Sequence, residues 1–151
     1  MARSIKIIAV GNRLRGDDGV GPAVLERLRG MELPENVVLV DAGADPLDAV
    51  GHIMDAEKVV IIDAAGMNRA PGHVALLRPD NLRAVANGTP ISTHMYGLAE
   101  GIELARAAGF KPDIRIIGIQ PENTGVAECL SPAVASRIPD VINLVLEEAA
   151  S

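Results

Sequence analysis

Gly11-Asn12-Arg13-Leu14-Arg15-Gly16-Asp17-Asp18-Gly19-Val20-Gly21 follows the apolar run Ile5-Lys6-Ile7-Ile8-Ala9-Val10 and leads into a helical pattern. A strand, a glycine loop and a helix in that order open an α/β unit. Gly11 and Gly16 have the G-x-x-x-x-G spacing of a phosphate-binding loop, in which Lys and Ser or Thr come next to meet anionic oxygens and magnesium. Asp17 and Asp18 stand there instead. Two carboxylates at the mouth of such a loop repel phosphate and attract a cation. The loop therefore predicts a metal or a cationic ligand rather than a nucleotide.

Beyond this unit, apolar runs of strand length alternate with helical patterns along the whole chain. The pattern predicts strands at Ile5–Val10, Val37–Asp41, Val59–Ala64, Val74–Arg78 and Ile114–Gln120. Helices are predicted at Val20–Arg29, Pro46–Met54, His94–Ala108 and Pro132–Ala150, with Pro139 kinking or restarting the last. Ser131-Pro132 gives that helix an N-cap followed by proline in its first turn. Pro79–Ser92 reads as a loop with a short helix at Asp80–Ala86. The glycine- and proline-rich link from Ala65 to His73 is too short for a parallel crossover. The Val74 strand is thus expected to run antiparallel to its predecessor or to lie at an edge. No interdomain linker interrupts the pattern, so residues 1–151 read as a single domain.

Composition narrows the function. The chain carries a formal net charge of −6, and its aromatics are one Tyr and one Phe with no Trp. Base stacking and phosphate-backbone binding both lose their usual tools, which argues against a nucleic-acid partner. No stretch approaches the ~20 apolar residues needed to span a bilayer, and residues 1–10 lack the form of a signal peptide. Cys129 is the lone cysteine. It can make no intrachain disulfide, and a cytoplasmic location is expected. As a small apolar side chain, Cys129 is expected to be buried.

In an open α/β sheet, ligands sit beyond the carboxyl ends of the strands. Three of the predicted strand ends carry acids: Asp17 and Asp18 after the first, Asp41 at the second and Asp63 at the third. His94 opens a helix where it can face the same edge. Each has a purely structural alternative. Asp17 or Asp18 can cap the following helix and favour its positive end, although only one of them can be the cap. Asp41 can stabilise a turn with Ala42-Gly43. Asp63 closes the run Val59-Val60-Ile61-Ile62, where an unpaired buried carboxylate is costly, so a cap, a surface turn or a metal must account for it. Glu122 and Glu128 read as solvated. Neither an H-E-x-x-H zinc motif nor a G-x-S-x-G elbow is present.

Four segments make the chain resemble the hydrogenase maturation endopeptidases, which process the large subunit of nickel–iron hydrogenases. They are Gly11–Gly21, the Val59–Asp63 strand, Ser92-Thr93-His94-Met95-Tyr96-Gly97-Leu98, and Ile117-Gly118-Ile119-Gln120-Pro121-Glu122. The last runs on to Leu130-Ser131-Pro132-Ala133-Val134, also typical of that family. The resemblance implies a three-layer α/β/α sandwich around a twisted, mostly parallel five-stranded sheet with one antiparallel strand. By motif position it implies Asp18, Asp63 and His94 as metal ligands. Some members carry Glu where Asp18 stands. Asp41 matches a further acidic position, although Ala42-Gly43-Ala44 follows it here without the family's hydroxyl residue. The metal implied is nickel, delivered on the cysteines of the large-subunit precursor, from which one peptide cleavage removes a C-terminal extension. Asp18 or Asp41 is then the candidate general base. A non-catalytic nickel-binding docking or chaperone module would use the same three ligands without cutting.

Overall fold

The computed structural model describes residues 3–82 and 93–151, with Pro46 and Thr93 described by their backbone alone. Five strands form one sheet: β1 (Ile5–Ala9), β2 (Val37–Asp41), β3 (Lys58–Ala64), β4 (Val74–Leu77) and β5 (Asp113–Ile119). Their order is β2-β1-β3-β5-β4. β1 pairs in parallel with β2 and β3, and β3 with β5, while β4 joins β5 antiparallel at the edge. The short link before Val74 thus reverses the chain and leaves its strand outermost, as its length predicts.

Among the described residues the α-helices are α1 (Val20–Arg29), α2 (Pro46–Met54), α3 (Thr93–Ala107), α4 (Pro132–Ala135) and α5 (Ile138–Ala150). Pro139 sits in the first turn of α5, so the single helix expected over Pro132–Ala150 is two. Ser131 caps α4, its hydroxyl accepting from Val134 N–H at 3.4 Å. The helix expected at Asp80–Ala86 begins as a 3-10 turn, Pro79–Asn81, and its residues 83–86 lie outside the described residues.

Strand alternation divides the core into two. Ile7, Val60, Ile62 and Ile117 pack with Val24, Leu25 and Leu28 of α1 and with Val141 and Val145 of α5. On the opposite face Ile8, Val59, Ile61 and Ile116 meet Ala49 and Ile53 of α2 and Met95, Leu98 and Ile102 of α3. Helices on both faces of one sheet make the three-layer sandwich. Each fully buried Leu or Ile contributes about 1.5–3 kcal/mol. Among the described residues, no helix is long and apolar enough to cross a membrane.

The chain turns from β1 through α1 to β2 on one side, whereas β3 lies on the other side of β1. In open α/β sheets ligands sit at such a switch point, here at the carboxyl ends of β1 and β3. Asp18 follows the first strand and Asp63 lies in the last turn of the pleat of the second.

Candidate metal centre

Asp63 reaches the site through strand periodicity. Val59 and Ile61 face α2 and α3, and the next residue of the same parity is Asp63. Its side chain has zero exposure, and among the described residues neither carboxylate oxygen has a hydrogen-bond partner. His94 arrives from the start of α3, where Met95 and Leu98 anchor the helix in the core beside it. The third member comes from the glycine loop, which bends into a 3-10 turn at Gly16–Gly19. Gly11 has φ +145° and lies so close to the Asp18 carbonyl that a Cβ would clash at 2.0 Å. Only glycine lets the loop fold back on itself there. Asn12 N–H then donates to Asp18 Oδ2 at 2.9 Å and fixes that carboxylate's direction.

His94 Nδ1 lies 3.6 Å from Asp63 Oδ1 and 3.7 Å from Asp18 Oδ1. One donor atom from each of the three lies within 4.8 Å of the others. Burial pushes the Asp63 carboxyl up to about 6, against the pull of His94. The Asp63 carboxylate in turn raises the His94 ring above its ordinary value, with burial opposing. Each group therefore holds its proton more tightly than it would alone in water. A divalent cation would relieve the same strain, since two carboxylate oxygens and an imidazole suit a metal of intermediate softness. Three donors do not close a coordination shell. The arrangement fits a cation that brings further ligands with it.

Asp41 is not gathered into this group. Its Oδ1 accepts from Gly43 N–H at 3.0 Å, the turn its neighbours predict, and its Oδ2 lies 3.6 Å from the Arg13 guanidinium. Asp17 departs from the expected helix cap. α1 is preceded by Gly19 and has no side-chain cap. Asp17 is instead fully buried on the far side of the loop. Its Oδ1 accepts from Ser131 N–H at 2.7 Å. Its Oδ2 accepts from Glu122 N–H at 2.8 Å, Asn123 N–H at 3.1 Å and the Ser131 hydroxyl at 2.8 Å. Burial acts to raise its pKa, but these four donors outweigh it and hold the carboxyl below its ordinary value. Cys129 is a second correction, being exposed rather than buried. It stands in the irregular 121–130 segment, where the chain crosses the surface without a helix or strand to turn it inward.

Gln120 is a residue that strand reading passed over. β5 ends at Ile119, and the buried Gln120 side chain accepts from Met67 N–H at 2.6 Å, holding the link that follows Asp63. A polar residue closing an apolar run was the available signal, the same one that marked Asp63.

The model of the family described as "Hydrogenase maturation protease" matches residues 22–148. Hydrogenase expression/formation protein HupD of Rhodobacter capsulatus is 31% identical over 147 residues, covering 95% of this chain and 70% of that protein. Hydrogenase 2 maturation protease of Escherichia coli (strain K12) is 29% identical over 145 residues, covering 94% of this chain and 88% of that protein. The hydrogenase maturating endopeptidase HybD from E. coli superposes with a TM-score of 0.85 at 29% identity. That match covers 95% of this chain and 90% of that one.

Proposed function

The chain belongs to the hydrogenase maturation protease family, a peptidase of hydrogenase maturation, and we propose that it recognises nickel in a nickel–iron hydrogenase large-subunit precursor and removes the C-terminal extension. The observation that carries the nickel reading is Asp63, a wholly buried carboxylate beside His94 with neither oxygen hydrogen-bonded among the described residues. A charge left so exposed to a low-dielectric interior is costly in the free protein. It becomes favourable once a cation enters.

In this reading nickel is part of the substrate. Cysteine thiolates of the precursor hold it, and Asp18, Asp63 and His94 complete its surroundings with oxygen and nitrogen donors. A bound nickel ion supplies Lewis acidity that polarises a carbonyl or water. The protein's own residues bind and orient. Asn12 N–H keeps Asp18 Oδ2 occupied, which leaves Asp18 Oδ1 turned towards His94. Of the two carboxylates considered as general base, Asp18 is the one inside the cluster, whereas Asp41 is tied to Gly43 and Arg13. A cytoplasmic encounter with the precursor fits a chain with a lone cysteine.

The test is incubation with nickel-loaded and nickel-free precursor, followed by mass spectrometry of the released C-terminal peptide. Release from the loaded form alone is expected. Nickel-dependent binding without release would favour the docking module instead.

A further inference from the structure

Asp17 and Asp18 are adjacent in sequence and face opposite ways. Asp18 faces His94, while Asp17 is buried against the 122–131 segment with four hydrogen-bond donors around it. The main chain adds to this seam. Asp17 N–H donates to the Asn123 carbonyl and Gly16 N–H to the Ala127 carbonyl, both at 2.8 Å, while Ala127 N–H returns a bond to the Leu14 carbonyl at 3.0 Å. Gly16 has φ +55°, and a Cβ there would stand 2.6 Å from the Asn123 carbonyl. The glycine loop is thus pressed onto a segment more than a hundred residues away. A carboxylate this well satisfied leaves no capacity for a ligand of its own.

We propose that Asp17 is a positioning residue: by pinning the glycine loop to Glu122, Asn123 and Ser131, it sets where the neighbouring Asp18 carboxylate meets the cation. One peptide unit separates the two, so movement of Asp17 carries over to Asp18. A metal site tolerates only about 0.5 Å of misplacement before it loosens. The proposal rests on the three-ligand reading of the metal centre. It extends that reading to a residue touching neither metal nor substrate, and to Ser131 beyond it. Asp17→Asn keeps the shape but turns an amide N–H₂ towards N–H donors, which the loop must move to avoid.

The test is calorimetric titration of nickel chloride, up to millimolar, into the purified wild type, Asp17→Asn, Ser131→Ala and Asp63→Asn. Circular dichroism establishes folding at the titration temperature. A residue that only stabilises the fold would leave the nickel affinity of the folded variant unchanged. Asp17→Asn is expected to weaken nickel binding about tenfold, the usual scale for groups that orient ligands. Ser131→Ala, losing one donor to Asp17, should weaken it in the same direction by less. Wild-type affinity in folded Asp17→Asn overturns the proposal. If that variant does not fold, wild-type affinity in Ser131→Ala overturns it. Equal nickel binding, or none, by wild type and Asp63→Asn removes the metal site itself. That distinct pattern takes the proposal down with the reading it rests on.

Discussion

His94 Nδ1 stands 3.6 Å from an oxygen of Asp63, a side chain with zero exposure and, among the described residues, no hydrogen bond to either carboxylate oxygen. The pair joins the end of β3 to the start of α3 across 31 residues, and Asp18 closes the triangle from the first loop. Asp63 and His94 adjoin core residues of β3 and α3, and Asp18 is held by the hydrogen bonds of its loop. The three donor groups are therefore brought together by the protein fold itself.

This pair should tilt the pH dependence of stability. Asp63 is pushed up to about 6 in the folded protein against 3.8 when unfolded, and His94 is raised above 6.5. Over that window the folded state holds protons that the unfolded state releases, so stability falls as pH rises from about 4 through the folded values. The urea midpoint of the metal-free protein is expected to be lower at pH 8 than at pH 6. The difference should flatten in Asp63→Asn. A midpoint that climbs from pH 6 to pH 8 in the wild type would contradict the charge arrangement.

Asp63 should also be a residue that costs stability. A shift from 3.8 to about 6 corresponds to about 3 kcal/mol of penalty on the charged form. Asn removes that charge while burying an amide of similar shape, so Asp63→Asn is expected to gain about 1 kcal/mol at pH 8. Denaturant unfolding measures it. The same variant should lose cleavage.

Asp17 should behave in the opposite way. Four donors converge on its carboxylate, and Asp17→Asn leaves at least one of them facing an N–H₂ group. A loss of about 2–4 kcal/mol is expected, beyond the ~1 kcal/mol of a helix cap. Its depressed pKa adds a sign: this contribution is present above about 3.8 and is lost as pH falls through the folded value. Wild type and Asp17→Asn should therefore converge in stability in strong acid.

Cys129 should be dispensable. It is exposed, stands outside the three-residue cluster, and the proposed chemistry uses no thiol of this chain. Cys129→Ser is expected to release the C-terminal peptide within about twofold of the wild-type rate. Loss of release with precursor binding retained would point to a thiol nucleophile.

The elements were legible in the sequence because the helices carry an apolar stripe and the strands are apolar runs of strand length. β2, α1 and α2 fall on their predicted residues, β1, β3 and β4 differ by one residue at one end, β5 and α3 are each displaced by one residue, and the last predicted helix divides into α4 and α5. Asp63 was legible because an acid closing a fully apolar run has few places to go. Asp17 was not. Adjacent carboxylates in a 3-10 turn point about 120° apart, and only the fold shows which of them meets Ser131 and which meets His94. Lys58 was missed for a related reason. A lysine ahead of an apolar run reads as solvent-facing, yet its ammonium is buried and donates to the Ser151 main-chain oxygen at 2.6 Å. Contacts across 93 or 114 residues leave no local periodicity to read.

The central claim is that Asp18, Asp63 and His94 act as one nickel-binding unit, and it is tested most directly by the rate of peptide release from nickel-loaded precursor by their variants. Asp18→Asn, Asp63→Asn and His94→Ala share no local structural task, so they should fail alike only if they meet at one metal. Each is expected to keep its circular dichroism spectrum and to release the C-terminal peptide at least about 100-fold more slowly than wild type. Asp41→Asn, whose partners are Gly43 and Arg13, should retain more activity than any of the three. Wild-type release by folded His94→Ala, with Asp41→Asn inactive, would contradict the account.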